Sequence, residues 1–325
     1  MNTCIPTTDT LVFSPTGKEI ESIPDRRNYY RGQTPQSFSY PLILRAHEET
    51  QKLSATDDCQ LVLDLGHSVH LIEGAESNIK ITTELDLFYA EQLFFRIKQS
   101  PQASNSLDLK GKKIAITGGT GGIGQALYHL LLEEGALPLV ISRSSKEFIA
   151  DLSSFEQAKT VFERIKRTIG PLDGLVNCIG HLLVKELYDC SQEEIDKLID
   201  TNLKGVIYCC GLASIKPSGH IVNISSSSYS RGRKGSAVYS ATKAALVNFS
   251  QGFAEERPDL HVNVLAPQRT DTKMRQTYFP KEDPSTRLSP QEVASEIISL
   301  LKSQGITGAL IDVRAKPQLT LNASC

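Results

Sequence analysis

Residues 113–127 read KIAITGGTGGIGQAL. An apolar run of strand length passes directly into a glycine-rich turn, and the turn opens a segment whose apolar residues recur at helical spacing. Strand, tight turn and helix in that order make the start of a nucleotide-binding βαβ unit. Gly118, Gly122 and Gly124 let the backbone turn sharply, come close to a pyrophosphate and pack the helix onto the strand. The helix N-terminus adds unpaired N–H groups and the positive end of its dipole, which suit phosphate oxygens.

Outward from this stretch the same alternation continues toward the C-terminus. Strand-like runs stand at 112–118, 137–142, 173–180, 219–226, 261–267 and 308–315, and helical runs at 122–134, 154–168, 192–215, 237–256 and 290–303. Strands alternating with helices predict an α/β fold, a doubly wound, Rossmann-like parallel sheet with ligands at the carboxyl ends of its strands. Only seven residues lie between Arg143 and Asp151, too few for a crossover helix. The third strand is therefore expected to be reduced or missing.

Toward the N-terminus the pattern changes. The stretch KQSPQASNSLDLKG (98–111) crowds Ser, Gln, Asn and Pro between two periodic regions and predicts a linker, placed at 98–109. It divides a small partial α/β segment, 1–97, from the main domain, 110–325. In the segment, 11–23 reads as two short strands around a turn, 40–53 and 84–99 as helices, and 68–74 and 78–82 as strands.

A net charge of −2 over 325 residues, with 40% hydrophobic and 22% charged residues, predicts a globular chain with no general attraction to nucleic acid or anionic membrane. Seven cysteines without a CxxC pair predict free thiols in a reducing compartment. No apolar run approaches the roughly 20 residues that span a bilayer. The start MNTCIPTTDT has neither the basic end nor the apolar core of a signal peptide, so a cytoplasmic location is expected. Histidines 47, 67, 70, 129, 181, 220 and 261 are scattered and complete no ligand set, so no metal is expected.

The chemistry concentrates in SSSSYSRGRKGSAVYSATK, residues 225–243. Tyr239 and Lys243 stand four apart on a predicted helix and share a face. A nearby ammonium is expected to lower the phenol's pKa and make Tyr239 a general acid for a carbonyl oxygen receiving a hydride. Ser226 ends the preceding strand, placed to donate a hydrogen bond to that oxygen. Asn202, in IDTNLKG, is expected to hold a water that links Lys243 to solvent. The second strand ends VISRSS, with Arg143 where an acidic residue would bind ribose hydroxyls; a guanidinium there favours the 2′-phosphate of NADPH.

Residues 112–315 resemble the short-chain dehydrogenase/reductase family, in TGGTGGIG (117–124), VNCIG (176–180), TNL (201–203), NISS (223–226), YSATK (239–243) and VNVLAP (262–267). The resemblance implies Ser226, Tyr239, Lys243 and Asn202 as a catalytic tetrad. It also implies a cofactor site from Gly118, Thr120, Gly122, Ile123, Gly124, Arg143, Asp151, Asn177 and Lys243. The family's Pro-Gly after the sixth strand is Pro267-Gln268 here, and the last strand, TGALIDVRA, lacks the usual following glycine pair.

Two basic segments flank the expected site. Arg231, Arg233 and Lys234 lie between Ser226 and Tyr239, and Arg269, Lys273 and Arg275 follow the sixth strand. Arginine forks suit phosphate oxygens, so a phosphorylated small-molecule substrate is the physical reading, with a solvated basic loop as its alternative. Residues 5–97 resemble, in IPTTDT, IPDR, RGQTPQSF, TDD and EGAESNIKIT, the C-terminal part of the cytidylyltransferase family that makes CDP-methylerythritol or CDP-ribitol. That resemblance implies that Lys80 binds nucleotide phosphates and that the TDD aspartates border the site. The family's glycine-rich CTP loop is absent, so no cytidylyl transfer is expected from this chain. The two resemblances together are the arrangement of bifunctional enzymes that reduce ribulose 5-phosphate and make CDP-ribitol for surface polymers. They imply a homo-oligomeric, NADPH-dependent reductase of a ketose phosphate. A reductase of another carbonyl, such as a 3-oxoacyl thioester or a polyol, and an inactive fusion remnant stay open.

Overall fold

The computed structural model describes residues 1–50, 55, 57–87, 89, 90 and 107–314. The chain divides into two compact units, Met1–Phe94 and Phe95–Cys325.

In the first unit, β1 (Asn2–Pro6) lies between β2 (Tyr30–Gln36), antiparallel to it, and β3 (Leu71–Glu73), parallel to it. Helices α1 (Tyr40–Glu49) and α2 (Asp58–Asp64) close a small core on Ala46, Leu61 and Val62. Two expectations fail here. The strand pair expected at 11–23 is a single bridge between Phe13 and Ser22, and 78–82 forms no strand. The pattern at 30–36 was unreadable as a strand because Gly32 and Pro35 mimic a turn; pairing with β1 overrides that local preference. Most of the helix expected at 84–99, like the linker at 98–109, lies outside the described residues.

The second unit holds seven parallel strands: β4 (Lys113–Thr117), β5 (Leu137–Ser142), β6 (Phe148–Ile149), β7 (Leu172–Asn177), β8 (Ile215–Ile224), β9 (His261–Pro267) and β10 (Leu310–Val313). They stand in the order β10-β9-β8-β7-β4-β5-β6, so the chain reverses its direction of travel between β4 and β7. The crevice for ligands in such sheets lies outside the carboxyl ends at that reversal. Alternation along each strand splits the core. Ile114, Ile116, Val176 and Val222 pack against α3 (Gly122–Glu133) and α9 (Pro290–Lys302), whereas Ala115, Leu175 and Ile221 pack against α4 (Phe155–Thr168), α6 (Gly205–Leu212) and α7 (Ala237–Glu256).

The third strand is reduced to the two residues of β6, which pairs with β5 in parallel. Ser145 makes this short crossover possible: its hydroxyl reaches both the Ser142 carbonyl at 3.2 Å and the Phe148 carbonyl at 2.6 Å. The helix expected at 192–215 is interrupted. Helix α5 (Gln192–Ile199) passes through a π turn at Asp200–Lys204 into α6, which stops at Leu212.

Candidate active site

Helix α3 starts directly after the glycine turn, with Gly121 as an N-cap that offers no side-chain acceptor. The first-turn N–H groups, including those of Gly122, Ile123 and Gly124, have no partner inside a helix, so this end suits an anion. The turn is tight enough to require glycine at two positions. Gly118 has φ +66°, and a Cβ there would come within 2.9 Å of the Ile179 nitrogen. A Cβ on Gly124 would stand 2.6 Å from the Gly118 carbonyl oxygen.

Beside the turn, at the end of β5, Thr120 donates to the Ser142 hydroxyl at 3.2 Å and Ser144 donates to Thr120 at 3.2 Å. Arg143 is exposed there and makes no ion pair among the described residues. The Asp151 carboxylate is taken up locally, accepting from the Ser153 hydroxyl at 2.7 Å and its N–H at 3.1 Å. Those bonds hold its pKa below the usual carboxylate range, with Arg143 adding to the effect.

Asn177 is fully buried and sits within a ladder of side chains. Thr117 donates to Asn177 at 2.9 Å, Asn177 to Asn223 at 2.8 Å, and Asn223 to Ser250 of α7 at 2.9 Å. Helix α7 is thereby locked to three strands. A second tie lies two turns away along the helix. Lys243 donates from Nζ to the Ile224 carbonyl at 2.9 Å, and Ser225 donates from its hydroxyl to the Lys243 carbonyl at 2.9 Å. Because β8 and α7 are laced here, Ser226 arrives beside Tyr239 and Lys243. The Ser226 oxygen accepts from the Ser228 N–H at 3.3 Å and hydroxyl at 3.1 Å, which leaves its own proton for the Tyr239 phenol beside it.

Asn202 sits in the π turn, fully buried. Its amide oxygen accepts from the His181 N–H at 2.6 Å, and its Nδ2 donates to the His181 carbonyl at 2.9 Å and the Thr242 hydroxyl at 3.3 Å. The side chain thus clamps the segment after β7 against α7. Gly180 is the gap between this amide and the Lys243 amine: a Cβ there would be 3.8 Å from each.

The electrostatics also depart from the sequence expectation. Burial pushes the Tyr239 phenol above its ordinary pKa, while the Ser226 hydroxyl and the Arg275 charge pull it back in part. Lys243, 3% exposed, is pulled down by burial to about 8, which Cys178 only partly offsets. Its Nζ lies 5.9 Å from the centre of the Tyr239 ring. Desolvation therefore outweighs the Tyr–Lys attraction.

The basic residues divide into two groups. Arg231, Arg233 and Lys234 are exposed, and Lys234 pairs with Glu186 at 3.2 Å. Arg269 and Arg275 are not loose: both reach Glu282, at 3.3 and 2.8 Å, and Arg287 joins the same carboxylate at 3.3 Å. Glu282 and Arg287 escaped the sequence reading, since nothing in their spacing signals a tertiary ion-pair hub. In the first unit, Asp57 caps α2 and Asp58 pairs with His47 at 3.1 Å, while Lys80 is exposed.

Comparison with known proteins fits this geometry. The short chain dehydrogenase family model matches residues 112–283, and that of 2-C-methyl-D-erythritol 4-phosphate cytidylyltransferase matches residues 2–96. The bifunctional ribulose 5-phosphate reductase/CDP-ribitol pyrophosphorylase of Haemophilus influenzae is 34% identical over 98% of this chain and 69% of its own length. Among solved structures, the Thermoplasma acidophilum aldohexose dehydrogenase (26% identity) covers 64% of this chain and 94% of its own, with a TM-score of 0.59. A glucose/ribitol dehydrogenase-type protein from Brucella melitensis (27% identity) covers 64% and 97%, also with a TM-score of 0.59. The fold these proteins share binds a nicotinamide dinucleotide, and the uncapped end of α3 fits its pyrophosphate. The chain belongs to the short-chain dehydrogenase family, as an oxidoreductase domain preceded by a cytidylyltransferase-like segment.

Proposed function

We propose that this chain is an NADPH-dependent reductase of a ketose phosphate, of the ribulose 5-phosphate to ribitol 5-phosphate type. It would act in the cytoplasm, as a homo-oligomer, in supplying precursors for a surface polysaccharide. The observation that carries the substrate is the similarity to the Haemophilus influenzae enzyme across both units of the chain. The preference for NADPH is supported by Arg143 together with the hydroxyls of Thr120, Ser142 and Ser144, a cationic and donor-rich corner whose nearest carboxylate, Asp151, is already engaged.

The bound dinucleotide supplies the hydride. The rest of the chemistry is assigned to the chain's own side chains. Tyr239, kept protonated at neutral pH by its raised pKa, gives its proton to the carbonyl oxygen as the carbon takes the hydride, so a ketone becomes an alcohol. Ser226 donates a hydrogen bond to the same oxygen, keeping its own proton, and orients it. Lys243, tethered through one of its N–H groups to Ile224, has others for ribose hydroxyls and stands ready to restore the phenol's proton. Asn202 positions the segment that carries Gly180 and His181. The cations of 231–234 and 269–275 face the substrate side of the site.

The test is a substrate panel followed by NADPH absorbance: ribulose 5-phosphate, unphosphorylated ribulose and an acetoacetyl thioester. Ribulose 5-phosphate is expected to be preferred over both; equal rates with and without the phosphate sink the reading. Arg143→Ala is expected to lower the preference for NADPH over NADH by about 10- to 100-fold, the worth of a charged hydrogen-bonded pair.

A further inference from the structure

The segment that follows β9 forms a closed loop over the site. Its two ends are pinned together, with the Asp271 N–H donating to the Leu288 carbonyl at 2.8 Å and the Leu288 N–H to the Arg269 carbonyl at 2.8 Å. Within it, Thr272 caps the short helix α8 (Lys273–Tyr278) and packs on the cofactor turn, so that a Cβ on Gly122 would meet its methyl at 2.8 Å.

Glu282 organises this loop. Arg275 meets it through Nε and Nη2, both at 2.8 Å, in a bidentate fork, and lies over the Phe279 ring at 3.7 Å. Arg287, only 3% exposed, braces the loop from beneath, with Asp271 at 2.7 Å and the Phe279 carbonyl at 3.2 Å. Three guanidiniums thus face two carboxylates, Glu282 and Asp271, and the cluster carries one net positive charge. Exposure of the side chains rises from Arg287 at 3% through Arg275 at 24% to Arg269 at 57%, so Arg287 is the strut and the other two are reachable. Arg275 keeps its Nη1 group without a partner among the described residues.

We infer that Arg275, with Arg269 beside it, seats the phosphate of the substrate, and that Glu282 is the positioning carboxylate that holds both guanidiniums ready. The inference rests on the ketose-phosphate reading and narrows it. A substrate whose carbonyl meets Tyr239 extends its far end toward the loop, and Arg275 is the cation whose charge reaches the phenol. Arg231, Arg233 and Lys234 are exposed, Lys234 in a surface pair with Glu186, and an exposed cation contributes little to a specific contact. A phosphate oxygen can meet the Nη1 side of Arg275 while Glu282 keeps the Nε–Nη2 edge, so the loop need not be rebuilt.

The experiment compares kcat/KM for ribulose 5-phosphate with that for ribulose in the full chain, and measures inhibition of ribulose reduction by inorganic phosphate. In Arg275→Gln the preference for the phosphorylated ketose is expected to fall about 10- to 100-fold, mainly through KM, with phosphate inhibition weakened in step. Arg275→Lys, which keeps the charge but loses the fork, is expected to fall in between and serves if the first variant folds poorly. NADPH binding, read by fluorescence, reports an intact cofactor site in each. An unchanged preference in both variants overturns the assignment, and so does a preference lost in Arg231→Gln instead. A wild-type protein with no preference for the phosphorylated sugar brings down the ketose-phosphate reading itself, and this assignment with it.

Discussion

At the carboxyl end of the large sheet, buried polar side chains pass hydrogen bonds from one to the next; toward its amino end, a buried imidazole and a half-buried one have almost none. The ladder Thr117–Asn177–Asn223–Ser250 spans β4, β7, β8 and α7 with bonds of 2.8–2.9 Å. Where the pairing of β8 and β9 begins, His220 and His261 are register partners whose rings stand 4.8 Å apart. Among the described residues, neither nitrogen of His220 finds a partner, nor does Nδ1 of His261. The same strands therefore hold a satisfied network where chemistry needs rigid placement and an unsatisfied pair where it does not. A buried network is worth its desolvation only if every member is paired.

If the carboxyl end is a working site, single changes there should remove activity without removing the fold. Tyr239→Phe is the sharpest case, expected to lower kcat about 10²- to 10⁴-fold, the usual worth of a general acid. Its melting temperature should stay close to that of the wild type, because the phenol is half-buried and its ring is retained. A variant with near-normal turnover would show that another group delivers the proton.

Next in size is the ladder itself. Asn223→Leu keeps the volume roughly but leaves Asn177 without its acceptor, and Ser250 loses its donor. Denaturant unfolding should show a loss of about 2–4 kcal/mol, since buried polar groups left unpaired are costly. A neutral result would mean that β8 and α7 are held by apolar packing alone.

The two ends also differ in what their residues announced. The glycine turn, the strand at 261–267 and the helix at 237–256 follow from local periodicity, and they bring Ser226, Tyr239 and Lys243 together as their spacing implies. Their partners are another matter. Asn202 meets the His181 backbone because a π turn rotates it inward, and the 192–215 pattern carries no sign of that turn. Glu282 gathers three arginines from 13 residues before it to five after, a gathering that only the pinned loop creates. In the first unit the residues at 78–82 alternate like a strand yet pair with nothing, because alternation states a face and not a neighbour.

The amino end makes a prediction about acid. Burial and the neighbouring His261 and Lys112 hold His220 at about 4, against an unfolded value near 6.5. Between those two values the unfolded chain binds a proton that the folded chain refuses, so stability present above pH 6.5 is lost as the pH falls toward 4. The loss is on the order of 3 kcal/mol for His220, with His261, also lowered by burial, adding in the same direction. Urea unfolding at pH 7 and pH 5 should show it, and a flat profile across that window would contradict the buried neutral assignment.

His220→Phe isolates this contribution and carries the smallest effect at neutral pH. The ring keeps its place against His261 while two unpartnered nitrogens disappear, and removing such groups is worth about 1 kcal/mol of stability. Most of the acid loss between pH 6.5 and 4 should go with it, leaving only what His261 contributes. Carboxylates such as Asp173 and Asp271, whose pKa values are lowered by their hydrogen bonds and lysine or arginine neighbours, lose their stabilisation only at lower pH and should not obscure the window. Turnover should match the wild type, because the His220 ring bonds to none of the active-site side chains among the described residues. A variant that is less stable at pH 7 would mean that the imidazole has a polar partner after all, and the contrast between the two ends of the sheet would dissolve.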